Sequence, residues 1–372
     1  MRLGHAGLGI PARRSARTGP LRAIAAALGC LGLTAVLAGC GSSGPGGASD
    51  GQVIRVAVVP GIDTAALELA VRDGLFAQAG IDVKLAHFAT VSSELSALSN
   101  GSVNIAAGDY GSLFAAQATA GNKIFTILAD GYDAAPGVLE IMTMPNSKIT
   151  SPAGLVGRRI GAPDSALVGA PADAPDSLAI ASATSVLQGY GINTASVTWQ
   201  TMSQQQEVGE LIDGKLPAIL VTEPYIYQAQ RVGAVELADA CSGATESLPL
   251  SGYFSTKAWS ENKDNAAAVR AFESAIMQAD AKAAMPGPIQ SVLPGYVGLT
   301  AREAALITLG VYPLSTIAAS VQRTADLMNT EGMIRYEINV AGMIVRLRRP
   351  SPGELQAVAC VKSPRSFPGR GR

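Results

Sequence analysis

Histidine is almost missing from this chain: only His5 and His87 occur in 372 residues. A Ser–His–Asp device would rest on His87 alone, and no motif around it supports one. H-E-x-x-H, a P-loop and a G-x-G-x-x-G in strand-to-helix context are lacking as well. That removes the usual sequence grounds for a zinc peptidase, an NTPase or a dinucleotide enzyme. The four cysteines have no zinc-binding spacing, and no cofactor is expected. Charged residues make up only 15% and aromatics 5%, against 48% hydrophobic residues. Such a chain can bury a large core, and its length favours two domains.

The net charge of −1 hides an uneven distribution. Residues 1–40 hold five arginines and no acid, and residues 346–372 hold seven Lys/Arg and Glu354. The stretch between them carries 16 bases and 28 acids, a net of −12. An acidic body excludes nucleic acid as a partner, because that affinity comes from Lys and Arg neutralising phosphates.

The amino terminus reads as an export signal. Arg13, Arg14, Arg17 and Arg22 precede an apolar run over 23–36, short for a membrane span but sized for a signal core. The run ends in Leu37-Ala38-Gly39-Cys40, which matches the bacterial lipobox. In that motif the cysteine is lipidated and peptidase cleaves before it. Cys40 is therefore the expected lipid attachment site, and the protein is expected outside the cell, anchored to the outer face of the cytoplasmic membrane. The alternative is an ordinary signal peptide with a chance cysteine. Arg13-Arg14 fits twin-arginine export poorly. Residues 41–51, GSSGPGGASDG, form a flexible tether. Cys241 is expected as a packed free thiol and Cys360 as part of an unstructured tail, although export would permit them to pair.

Beyond the tether, apolar β-branched runs alternate with helix-period segments. Strands are expected at 53–59, 81–88, 103–107 and 123–129, then at 137–144, 158–162, 196–200, 218–221 and 235–237. Helices lie between them, one starting at a Ser203…Gln206 capping-box pattern. Alternation at this spacing means βαβ units and mostly parallel sheets. A return strand at 252–256 is followed by helices over 266–284, from a Thr300…Glu303 capping box to 309, and over 315–332. The order is one α/β lobe, a crossing, a second lobe and a return crossing, with a cleft between lobes. The expected divisions are a signal at 1–39, a tether at 40–52, a first lobe at 53–133 and 251–345, and a second lobe at 134–250. A basic tail at 346–372, with no periodicity, reads as disordered.

Several stretches, in order, resemble the substrate-binding lipoproteins of ABC importers for nitrate, sulfonates, taurine, bicarbonate and thiamine precursors. They are the lipobox, VAVVPGIDTAALELAVRDGLFAQAGIDVKLAHF, GSVNIAAGDYGSLFAAQATAG, SPAGLVGRRIGAP, AILVTEPYIYQAQ and SGYFSTKAW. The resemblance spans roughly 53–344. It implies a type II periplasmic-binding-protein fold, a small-molecule ligand clamped between lobes, and a membrane permease and ATPase as partners of a monomer. It leaves the ligand open. A fungal relative of this fold makes the thiamine pyrimidine with a cysteine-rich motif that this chain lacks.

Strand ends and helix starts supply the candidate ligand residues, since ligands of open α/β sheets bind there. In the first lobe these are Gly61, Ile62 and Asp63 after the first strand, Phe88, Ser92 and Ser93 after the second, and Asp109 and Tyr110 after the third. In the second they are Ser165, Ser177, Glu223 and Tyr225. Each has a plainer reading: Asp63, Ser92 and Ser177 as helix caps, Asp109 and Glu223 as loop braces, Phe88 and Tyr225 as packing. Asp63, Asp109, Asp164 and Glu223 fall at cleft ends with no Lys or Arg among them. That favours a neutral, zwitterionic or cationic ligand over a bare anion. The alternatives to import are a ligand-presenting surface sensor on the same fold and, behind it, a secreted enzyme.

Overall fold

The computed structural model describes residues 52–119, 124–164 and 177–345. The expected signal, Cys40 and tether, the 165–176 segment with Ser165, and the basic tail with Cys360 lie outside the described residues.

The chain opens with β1 (Gln52–Val58), α1 (Ala65–Arg72), α2 (Leu75–Gln78), β2 (Ile81–His87) and α3 (Val91–Ser99). Next come β3 (Ile105–Asp109), α4 (Tyr110–Thr119) and β4 (Phe125–Asp133). The second series is β5 (Leu139–Thr143), β6 (Arg159–Pro163), α5 (Ser177–Gly189), β7 (Thr198–Met202), α6 (Gln204–Ile212), β8 (Ala218–Thr222), α7 (Tyr225–Arg231) and β9 (Val235–Asp239). The chain then returns through β10 (Pro249–Thr256) and α8 (Lys257–Ser260) to α9 (Ala266–Ala283), α10 (Pro286–Tyr296), α11 (Ala301–Ala304) and α12 (Ala318–Thr330).

Two five-stranded sheets result, ordered β2-β1-β3-β10-β4 and β7-β6-β8-β5-β9. In the first, β1 pairs in parallel with β2 and β3, and β10 runs antiparallel between β3 and β4. In the second, β6 pairs in parallel with β7 and β8, and β5 runs antiparallel between β8 and β9. Each sheet thus has one strand opposed to the rest, and helices cover it. This is the expected pair of α/β lobes. The inner strands are apolar on both faces because both faces are covered: Val56, Ala57 and Val58 of β1 and Ile105, Ala106 and Ala107 of β3 are all buried.

The outer edge of β4 is closed by later segments of the chain. Asp133 and Val311 exchange both backbone hydrogen bonds, at 2.8 and 3.0 Å, while Ile127 is held by Met343 and Val345 at 2.9 and 3.0 Å. A long apolar edge strand would otherwise be a template for aggregation. Beneath α9, Phe272 stacks on Phe76 at 5.3 Å and meets the edge of Tyr253 at 5.5 Å.

Three local readings change. α10 is not among the expected helices, and it contains Pro286, Pro288 and Pro294. The first two stand in its opening turn, where the missing N–H is no loss. The Thr300 capping box is present, but α11 stops at Ala304 instead of reaching 309. The chain leaves the helix to lay Gly310 and Val311 along β4, where the Gly310 N–H donates to Tyr132 Oη at 2.5 Å. Asp63 is not the cap of α1: that position is Thr64. Thr64 Oγ1 instead accepts from the Gly61 N–H at 3.1 Å and bonds Tyr296 Oη at 2.9 Å.

The second capping box holds as expected. Ser203 Oγ accepts from the Gln206 N–H at 3.4 Å, and Gln206 Oε1 accepts from the Ser203 N–H at 3.2 Å. Ser203→Ala is expected to cost about 1 kcal/mol, read as a lower melting temperature. An unchanged melt would show that α6 does not need its cap.

Candidate functional site

A cleft of about 430 Å³ opens at the strand ends between the sheets. The first lobe contributes the turn Pro60 to Asp63, Asp109 at the end of β3, Tyr132 of β4, and Leu250 and Ser251 of β10. The second contributes Leu139, three residues of α5, Gln204, and the run Thr222 to Tyr225 after β8. Val297 and Thr308 of the C-terminal segment complete it.

The turn after β1 has a tight backbone. A Cβ on Gly61 would meet the Asp63 carboxylate, so a side chain there would push that carboxylate out of its present position. Tyr312 Oη donates to the Ile62 carbonyl at 2.5 Å and fixes the turn from below. Tyr132 meets Tyr312 edge-on at 5.1 Å and forms the adjacent wall.

Asp63 and Asp109 form the acidic floor. Burial, then the charge of Asp109, pushes the Asp63 carboxyl up to about 6, with the Ser251 side chain opposing as a hydrogen-bond partner. Burial also raises Asp109, against the Ser112 N–H that donates to its Oδ1 at 2.6 Å. Glu94 of α3 stands behind them, 1% exposed, against the backbone of Val59 and Ala107. Burial first, then Asp109 and Asp63, raise it well above the carboxylate range. Gly108 leaves room for it: a Cβ there would lie 3.3 Å from Glu94 Oε1.

The opposite wall is more neutral. Gln204 Oε1 accepts from the Thr222 N–H at 2.7 Å and from its hydroxyl at 3.1 Å. Glu223 is already engaged, its Oε1 accepting from the Thr308 N–H and its Oε2 from the Tyr227 N–H, both at 3.0 Å. Ser182 of α5 lines the cleft and is buried, with no partner for its hydroxyl among the described residues. Among the described residues no Lys or Arg lines the cleft, and the sequence of 165–176 contains none.

Of the sequence candidates, Gly61, Ile62, Asp63, Asp109, Glu223 and Tyr225 come together in this cleft. Tyr110 does not. Its ring is fully buried between Phe114 and Phe254, and its hydroxyl donates to Asp130 Oδ1 at 3.0 Å. It begins α4 directly, so the helix turns it into the core. Phe88, Ser92 and Ser93 are not among the lining residues. Phe88 packs on the core, and the cap of α3 is Thr90, which accepts from the Ser93 N–H at 3.2 Å. Ser177 opens the described part of α5 without lining the cleft, whereas Leu178, Ala179 and Ser182 do. Ser182, Gln204 and Ser251 were missed. Only the capping-box pattern beside Gln204 was a signal for any of them.

Other candidate chemistry lies elsewhere. His87 is exposed at the end of β2. Cys241 is a buried free thiol, as expected, pushed up to about 12 by burial. Among the described residues, no group of three or more His, Cys, Asp or Glu could hold a metal ion, and no helix is long and apolar enough to cross a membrane.

Several solved structures share the architecture. The periplasmic aliphatic sulphonate binding protein SsuA of Escherichia coli superposes with a TM-score of 0.64 at 17% identity, over 86% of this chain and 97% of that one. A Candida albicans protein described as having the generic periplasmic binding protein fold gives 0.61 at 14%, over 82% and 99%. The desulfurization enzyme DSZB gives 0.60 at 13%, over 84% and 100%. At such identities the likeness establishes the fold, which binders and at least one enzyme share. No curated protein sequence matches the chain significantly. A family model described as NMT1/THI5 like matches residues 62–288, from the cleft turn after β1 through α9 and into α10, and the chain belongs to that family.

Proposed function

We propose that this chain is an extracytoplasmic solute-binding lipoprotein, anchored through Cys40, that delivers a small organic solute to the permease and ATPase of an ABC importer. The NMT1/THI5-like family and the two-lobed fold support the binding role. A lipobox after a signal-like run supports the anchor. An enzyme is the weaker reading, because neither His87 nor Cys241 lines the cleft. A surface sensor on the same fold would use the same cleft.

The solute is a cation or a zwitterion that presents its positive end to the first lobe. One observation carries this: Asp63 and Asp109 line the cleft, and no base among the described residues does. Sulfonate, which the E. coli neighbour is named for binding, would meet two carboxyl groups and no cationic donor. Mass spectrometry of the solute that copurifies with the protein is expected to find an amine or other organic cation. Titration with alkanesulfonates that carry no amine and with nitrate is expected to show no micromolar binding. Micromolar affinity for one of these would overturn the charge assignment and leave the binding role standing.

A further inference from the structure

A second pocket, of about 250 Å³, lies away from the cleft on the far edge of the first sheet, between β4, α9 and the last described residues. Asp130, Glu273 and Asp280 line it, and among the described residues no Lys or Arg does, although the charge of Arg270 reaches Glu273. Its other walls are apolar, with Met277, Leu314 and Ile344 among them. Met277 and Leu314 are half exposed at its rim, at 50% and 55%. Asp280 is 1% exposed, and its Oδ1 has no hydrogen-bond partner among the described residues. Asp130 is bonded on one side only, its Oδ1 accepting from Tyr110 and from the Gly131 N–H. Placing an unpartnered carboxyl in an apolar recess is costly unless something charged or donating joins it. Burial pushes Asp280 up to about 9 and Asp130 up to about 8, as expected of carboxyls without a counter-ion.

We propose that this pocket is a second binding site, taking a guanidinium or primary ammonium group carried on an apolar stem. The acids at its base match the charged head, and the aliphatic walls match the stem. Such a group has two available sources. One is an external solute or partner side chain. The other is the chain itself, because Ile344 and Val345 line the pocket and the sequence continues Arg346-Leu347-Arg348-Arg349.

The test uses the full chain with methyl-labelled methionine, the Met277 signal being assigned with Met277→Leu. n-Butylguanidinium is expected to shift that signal saturably, while n-butylurea, its neutral counterpart, leaves it in place. Asp280→Asn and Glu273→Gln are each expected to weaken the effect at least tenfold. Glu273 is only partly buried, so its variant decides the matter if Asp280→Asn fails to fold. Replacing Arg346, Arg348 and Arg349 together by Gln separates the sources. Tenfold tighter probe binding in that variant assigns the pocket to the chain's own guanidinium groups, and unchanged binding assigns it to an external cation. No saturable Met277 shift in either background, or a shift indifferent to both carboxyl substitutions, would overturn the proposal.

Discussion

Asp63→Asn is expected to weaken binding of the protein's solute by roughly 30-fold or more, the cost of removing one partner of a buried charge pair being about 2–5 kcal/mol. The variant is nearly isosteric, so the turn held by Gly61, Thr64 and Tyr312 should persist. The free protein should not suffer. Asp63 now sits beside Asp109 and in front of Glu94, and its carboxyl is raised to about 6 by burial and that company. A neutral amide relieves the crowding, so the melting temperature at neutral pH should hold or rise while affinity falls. Calorimetric titration beside a thermal melt reads both. Parent-like affinity in the variant would remove Asp63 from the site. The same geometry gives the pH dependence its sign. A cation needs the ionised form, so affinity should drop as pH falls through about 6 and Asp63 takes up a proton. The neighbouring carboxyls are Asp109 and Glu94, both also raised, so protonation of the floor reinforces that direction, while Tyr132, Tyr253, Tyr296 and Tyr312 beside it stay neutral there.

Alkaline pH is expected to destabilise the fold well before lysines titrate. Burial pushes Glu207 and Asp280 up to about 9, Asp130 up to about 8 and Glu140 up to about 7. Each therefore keeps its proton more tightly when folded than when unfolded. Their contribution is fully present below the unfolded carboxyl range and is lost as pH rises through these values. While such a group is still protonated in the fold and ionised in the unfolded chain, stability falls by about 1.4 kcal/mol per pH unit. Several acting together should make the melting temperature fall steadily between neutral pH and pH ~9. Glu207 offers the cleanest check. It is fully buried on α6, its Oε2 accepts from the Leu220 N–H at 3.3 Å, and its Oε1 has no partner among the described residues. Glu207→Gln should flatten the alkaline decline by removing one proton from the linkage. A slope equal to the parent's would show that Glu207 is already ionised in the native state. Asp73 acts in the opposite sense, since hydrogen bonding from Lys282 holds its carboxyl low, but it lies at the surface and is screened.

The lobes were legible because the residues that build them act locally. The β-branched run of β1 and the glycines after the helices say strand and stop without reference to the rest of the chain. Asp63 and Asp109 were legible as cleft residues for a topological reason: parallel strands deliver their carboxyl ends to one side. The failures required knowledge of distant partners. Tyr110 follows a strand end just as Asp109 does, yet the space between Phe114 and Phe254 claims its ring. Glu94 and Glu207 read as ordinary polar helix positions, and only the assembled sheets show that they are buried. Ser182 sits in a helix of small and apolar residues, SLAIASATSVLQG, whose faces cannot be ranked until both lobes are in place.

The way β10 and the final segments join the first sheet changes what a shortened chain would mean. All five strands of the second sheet come from one uninterrupted stretch, 139–239. The first sheet has β10 inserted between β3 and β4, and its β4 edge is closed at Val311 and at 343–345. A premature stop near the carboxyl terminus therefore injures the lobe that was synthesised first. It uncovers the edge of β4 and leaves the later-made lobe with its sheet entire.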